Sequence, residues 1–161
     1  PIYGVTADEL RQAMASFAGI RRRFETWLKT DCLTIIDDYA HHPAELEASI
    51  KSVKALYADR KVLGVFQPHL YSRTRDFYKE FAAALSHLDE VVLLDIYPAR
   101  ELPIEGVSSQ IIFDEITNEN KTLITKKELL ECLKSKQFDV LLTVGAGDID
   151  TYLPQIVELL K

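Results

Sequence analysis

Two polar stretches hold most of the side chains in this sequence that are capable of chemistry. DDYAHHPAE, Asp37 to Glu45, puts two acids, a tyrosine and two histidines directly before a proline, and FQPHLYSRTRD, Phe66 to Asp76, adds His69, Arg73 and Arg75. Each group has a plain reading beside a chemical one. Asp37 and Asp38 are short acids of the kind that cap helices and close turns, and they are equally carboxylates able to hold a ligand. His41 and His42 are adjacent and so point apart, whereas a chelating pair favours i, i+4 on a helix or i, i+2 on a strand; no metal is expected there. A lone loop histidine such as His69 needs no function. Arg73 and Arg75 say more. Cations at the start of a helix oppose its dipole, and an arginine fork that holds a carboxylate or phosphate would offset that cost.

The surrounding elements give these residues a common address. Thr6 and Glu9 form a T-x-x-E capping box, and Leu10, Ala13, Met14 and Phe17 keep one face apolar, so 6–17 reads as a helix that Gly19 stops. RRRFETWLKT (21–30) alternates and reads as a strand. CLTII (32–36), KVLGVF (61–66), EVVLLDI (90–96) and FDVLLTV (138–144) read as buried strands, with a short strand at 122–124. Helices are predicted from Pro43 (with Leu46, Ile50, Val53 and Tyr57 on one face), around Phe77, Phe81 and Leu85, over 107–116 and 126–135, and over 149–160. This alternation predicts an α/β fold, a Rossmann-like and mainly parallel sheet with helices on both faces. DDYAHH, QPHLYSRT, YPARE and GAGD then all follow strands and precede helices or loops. The carboxyl edge of a parallel sheet is where ligands bind, and helix N-termini there favour anions.

Bulk properties narrow the classes. A length of 161 residues predicts one main domain, and a net charge of −6 argues against a nucleic-acid partner, although RRR at 21–23 and Arg73 with Arg75 are local basic islands. No apolar run is long enough to span a membrane, and the first residues lack a signal-peptide pattern. Cys32 and Cys132 form no CxxC and are expected to be free, buried thiols in a reducing cytoplasm. The chain does not begin with Met, which is read as the mark of a fragment. GAGD (145–148) fails as a dinucleotide fingerprint because Asp150 stands where a third glycine belongs, so it reads as a tight backbone turn. There is no P-loop and no G-x-S-x-G elbow. Physics alone assigns no role to Tyr97 and Glu101.

Taken in order, RRRFE (21–25), DDYAHHP (37–43), FQPHLYSRTRD (66–76), YPARE (97–101) and GAGDI (145–149) resemble the C-terminal domain of the Mur ligases, and FQPHLYSRT is similar to their alanine-adding branch. The resemblance implies an ATP-dependent carbon–nitrogen ligase of peptidoglycan synthesis. A carboxylate of UDP-N-acetylmuramate takes a phosphoryl group, and L-alanine displaces it. It implies ATP and Mg2+ as cofactors, with Mg2+ held mainly by a central domain, and N-terminal and central domains of the same ligase as partners. Residues 1–20 would be the last helix of the central domain and 21–161 the C-terminal domain, inactive alone. The resemblance carries catalytic roles to Arg23, Asp38 and His41, nucleotide contacts to Arg23 (phosphates) and Asp38 (ribose), and the alanine pocket to Tyr39, His41, His69 and Arg73. Whether His41 or His69 is the base stays open. Two positions depart from the pattern: Leu70 stands where some members have arginine, and Arg100 where glycine is frequent. Three other readings remain: a ligase that recycles a tripeptide, a stand-alone nucleotide-binding module, and a metal hydrolase built on Asp37, Asp38, His41 and His42.

Overall fold

The alternation of buried runs and amphipathic segments closes into one six-stranded sheet in a computed structural model, which describes residues 2–17 and 19–161. The strands are β1 (Glu25–Lys29), β2 (Thr34–Asp38), β3 (Val62–Phe66), β4 (Glu90–Leu94), β5 (Lys121–Ile124) and β6 (Val140–Val144). Their order in space is β1-β2-β6-β3-β4-β5. β1 pairs antiparallel with β2, and every other pairing is parallel.

Helices cover both faces. α2 (Pro43–Leu56), α3 (Tyr71–Leu85) and α4 (Gln110–Glu115) follow β2, β3 and β4 on one side, where Leu46, Ile50, Phe81, Leu85 and Ile112 pack on Ile36, Phe66, Leu93 and Leu142. α5 (Leu129–Lys134) and α6 (Leu153–Leu160) lie on the other, where Leu129, Leu133, Leu153 and Ile156 meet Ile35, Leu63, Val65 and Leu141. Burial of α2 at Leu46, Ser49, Ile50 and Val53 is the i, i+3, i+4, i+7 stripe of a surface helix. Each fully buried leucine or isoleucine here contributes about 1.5–3 kcal/mol. The last strand therefore sits near the middle, between β2 and β3, and the helices after β3 and β6 leave on opposite faces. That divergence opens a crevice at the carboxyl ends of β2, β6 and β3.

Several boundaries differ from expectation. The strand predicted over 21–30 begins only at Glu25, because Arg22 and Phe24 take positive φ (57° and 50°) and fold the preceding residues into a turn. β2 runs two residues past the CLTII estimate, so Asp37 and Asp38 belong to the strand, where they pair with Thr143 and Val144 of β6. The 107–116 helix is only Gln110–Glu115, and the helices expected at 126 and 149 each open with a 3-10 turn. Cys32 is exposed in the turn between β1 and β2, and Cys132 is half-buried, so neither free thiol is the core residue expected. α1 (Ala7–Ser16) has its capping box but buries none of its residues: Leu10, Met14 and Phe17 all face outward. No helix among the described residues is long and apolar enough to cross a membrane.

Candidate functional site

All four polar stretches meet at the carboxyl edge. The backbone links them directly: Gly145 donates to the Asp38 carbonyl (3.2 Å), Gln67 to Val144 (3.0 Å), Leu70 to Tyr97 (3.0 Å) and Tyr97 to Pro68 (2.8 Å). Gly145 lies at φ 136°, and a side chain there would run into the Gln67 backbone; one on Gly147 would strike the Gln67 amide. GAGD is thus a tight turn, as expected, pressed against the end of β3. Gln67 holds it in place by accepting from the Ile149 N–H (3.0 Å) and donating to Asp148 (2.9 Å).

Arg22 organises the β2–β6 side. Its guanidinium donates to the buried Asp37 carboxylate (3.2 Å) and to the carbonyls of Gly145 (2.6 Å) and Gly147 (3.1 Å). It also pairs with Asp150 (3.4 Å) and lies 4.9 Å from the Tyr39 ring centre. Asp37 takes a further bond from the Thr143 hydroxyl (2.6 Å). Burial pushes the Asp37 carboxyl above its usual range, while Thr143 and Arg22 pull the other way. Asp38 accepts the N–H groups of Phe24 (3.1 Å) and Ala40 (2.9 Å), so its carboxylate fastens the arginine turn to β2, and burial raises it as well. Arg23 is exposed, lies 5.7 Å from the Tyr39 ring centre, and finds no acid among the described residues. Arg21, Arg22, Arg23, Tyr39 and Asp150 line a cavity of about 410 Å³. An exposed, unpaired cation beside an aromatic face in such a cavity suits a phosphorylated ligand.

On the β3–β4 side the side chains are aromatic and basic. His69 stacks on Tyr97 at 5.8 Å and lies 6.3 Å from His41, which meets Tyr39 edge-on at 5.1 Å. Arg73 touches His69 (3.3 Å) and pairs with no carboxylate among the described residues, whereas Arg75 is exposed and spent on Asp76. Leu70 precedes α3 at φ 73°, an unusual conformation for a branched residue. Its side chain offers no cap, and Glu101 supplies one by accepting the Ser72 N–H (2.9 Å) and hydroxyl. Glu101 thereby brings the negative charge that the first turn of α3 lacks. Arg100 is exposed one residue away.

His69 is pushed below its ordinary value, first by burial and then by the charges of Arg73 and His41. A histidine favoured as neutral in the fold loses stability as pH falls below its unfolded value of about 6.5. Histidine NMR of this chain should therefore place the His69 midpoint below 6.5, and Arg73→Met should raise it part of the way. An unmoved midpoint in the variant would remove Arg73 as a cause.

The structure brings together Arg23, Asp38, Tyr39, His41, His69 and Arg73, the residues singled out from the sequence. It disperses the metal constellation: Asp37 is bound to Arg22, Asp38 to two backbone groups and His41 to Tyr39 and Glu45, while His42 packs on Phe77. Among the described residues no three His, Cys, Asp or Glu side chains form a metal cage. The donor set thus fits a nucleotide phosphate and gives Mg2+ no cage of its own. Arg22, Gln67 and Thr143 were not foreseen, since a run of three arginines carries no sign of which one turns inward. At the opposite edge of the sheet Lys54 pairs with Asp89, and Lys61 and Lys136 pair with Glu90.

Known proteins share this sequence and fold. The family model described as Mur ligase, glutamate ligase domain, matches residues 22–147. The chain is 60% identical over 157 residues to a UDP-N-acetylmuramate–L-alanine ligase of Parabacteroides distasonis, covering 98% of this chain and 34% of that protein. It is 56% identical over 159 residues to one from Porphyromonas gingivalis, at 98% and 35%. The chain therefore spans about a third of the length of these relatives. Among solved structures, a UDP-N-acetylmuramate–alanine ligase from Thermotoga maritima superposes with a TM-score of 0.77 at 29% identity, over 96% of this chain and 33% of that one. A murein peptide ligase from Psychrobacter arcticus (TM-score 0.68, 18% identity, 97% and 33% covered) shares the fold.

Proposed function

Because the chain belongs to the Mur ligase family, we propose that it is the amino-acid- and ATP-binding C-terminal part of a ligase that joins L-alanine to UDP-N-acetylmuramate in peptidoglycan synthesis, in the cytoplasm. The observation that carries this reading is Arg73, a half-buried guanidinium 3.3 Å from the His69 ring nitrogen with no acid partner among the described residues. A zwitterionic amino acid supplies the missing carboxylate. The high identity to alanine ligases over nearly the whole chain supports the choice of amino acid.

ATP, when bound, supplies the phosphoryl group that activates the muramate carboxylate as an acyl phosphate. The residues here do the rest of this domain's work. Arg23 faces the phosphates and offsets the charge that moves during transfer. Tyr39 gives a flat surface beside Arg22 and Arg23. Asp38 keeps Phe24, and so Arg23, in register with β2, and its remaining lone pairs face a ribose. Tyr39, His41, His69 and Arg73 enclose the amino acid. The first twenty residues belong to the central ATPase domain, a reading supported by the outward apolar face of α1. Mg2+ is held mainly there, and the chain alone does not turn over.

The test is ADP release by the full-length ligase with UDP-N-acetylmuramate and a series of amino acids. Turnover that requires alanine supports the reading. Turnover with a tripeptide and none with alanine makes it the recycling ligase. No response to either removes the ligase reading and leaves a nucleotide-binding module.

A further inference from the structure

The two histidines facing the crevice carry their protons on opposite nitrogens. His41 Nδ1 lies 3.0 Å from the Tyr39 carbonyl oxygen and 3.2 Å from Glu45 Oε2. Both are acceptors, so Nδ1 holds the hydrogen, and the neutral ring leaves a lone pair on Nε2. His69 Nδ1 lies 3.3 Å from an Arg73 Nη. A guanidinium can only donate, so Nδ1 is the acceptor and the hydrogen sits on Nε2. One ring is thus prepared to take a proton at its free nitrogen, and the other to give a hydrogen bond.

The Tyr39 carbonyl fixes the His41 tautomer, and Glu45 places a carboxylate beside the same nitrogen. Glu45 Oε2 accepts the backbone N–H groups of His41 (3.1 Å) and His42 (3.3 Å), and these bonds hold its charge 3.2 Å from His41 Nδ1. As the third residue of α2 it would be read as a capping glutamate and nothing more. The same two backbone bonds, however, also keep its carboxylate beside the imidazole that the Tyr39 carbonyl orients. The other groups facing His41 are Tyr39 from its own segment and His69 from the end of β3 with Arg73 behind it; Arg23 acts on Glu45 from across the crevice.

We infer that His41 is the base that activates the incoming amine, that Glu45 is the positioning residue that holds a carboxylate beside its Nδ1, and that His69 serves only as a hydrogen-bond donor. This inference rests on the reading of the crevice as an amino-acid site. The step balances as follows. The ammonium of the amino acid gives one proton to His41 Nε2. The freed lone pair on nitrogen attacks the acyl phosphate carbon and a C–N bond forms. The C–O bond to phosphate then breaks, its electron pair leaves with the phosphate, and the second proton of the nitrogen goes to that phosphate. His41 returns its proton to solvent. His69 Nε2–H points a donor at the substrate, with Arg73 holding the carboxylate beside it.

The test uses the full-length ligase, with kcat and KM for alanine measured from neutral to alkaline pH. His41→Asn should lower kcat/KM for alanine about 100-fold at neutral pH, mostly through kcat. The loss should shrink as pH rises and more of the alanine arrives as free amine. Glu45→Gln keeps the helix cap and should lose about tenfold with the same alkaline rescue. His69→Asn should raise KM and show no rescue. Nitrogen NMR of labelled histidines should find the His41 hydrogen on Nδ1. A His41→Asn deficit that is constant with pH, rescue of His69→Asn instead, or a hydrogen on His41 Nε2 would each overturn the inference. ADP release that is indifferent to alanine in the wild type is a separate result: the amino-acid reading itself fails, and the inference falls with it.

Discussion

Arg73→Ala in the full-length ligase is expected to raise the KM for alanine roughly 10- to 100-fold, with a smaller change in kcat. The figure comes from removing a charge-assisted hydrogen bond, about 1.5–3 kcal/mol, at about 1.4 kcal/mol per factor of ten. KM takes the larger share because the alanine carboxylate keeps its charge through the reaction, so the contact is as strong in the ground state as in the transition state. Arg75→Ala is the control. It removes a guanidinium only two residues away, but one exposed and bound to Asp76, and KM should not move. Equal effects from the two substitutions would mean that the pocket responds to net charge rather than to a fork at position 73. Leu70 sharpens the expectation: without a second arginine beside His69, Arg73 carries the carboxylate alone.

The second large effect is on stability. Arg22→Met should destabilise the chain by about 2–4 kcal/mol at neutral pH, because it strands a buried carboxylate and two inward-facing carbonyls. Part of that loss depends on pH, with a definite sign. Burial holds Asp37 above the ordinary aspartate value of 3.8, and Arg22 is one of the groups that restrains it. Without Arg22 it rises further. An acid whose folded value lies above its unfolded one binds protons better when folded, so it stabilises the fold as pH falls. The deficit of Arg22→Met should therefore shrink as pH drops through the raised Asp37 value, in a window above 3.8, and Asp37→Asn in the same background should flatten it. Urea denaturation at neutral and mildly acid pH measures both. A deficit that does not change with pH would mean that Arg22 acts through the Gly145 and Gly147 carbonyls alone.

Much of this arrangement was legible in the residues themselves. The Thr6–Glu9 box, Pro43 at the head of α2 and the β-branched runs are local signals, and local structure followed them. The four polar stretches at strand ends followed from alternation alone. What escaped was decided across the chain. RRRFETWLKT alternates well enough for a strand, yet its first residues turn, because Asp38 captures the Phe24 N–H and Arg22 reaches residues 123 and 125 positions away. Asp37 looked like loop chemistry because an acid in a buried strand is costly. It is accommodated by Thr143, which lies 106 residues away. Glu101 gave no signal from sequence because Ser72, whose N–H it caps in the first turn of α3, lies 29 residues earlier.

The position of β6 bears on how the molecule comes together. It is the final strand to emerge and yet lies third in the sheet, with β2 on one side and β3 on the other. Until it inserts, β2 and β3 share no neighbour, and the Arg22 contacts to Gly145 and Gly147 have nothing to close on. Parallel pairings between such distant segments incur their loop-closure entropy before they gain any contact, so the crevice is completed in the last act of folding. A ligand seated there binds only the finished sheet. It should act as a latch on β6, slowing global unfolding while leaving local opening of the outer β4–β5 edge unchanged.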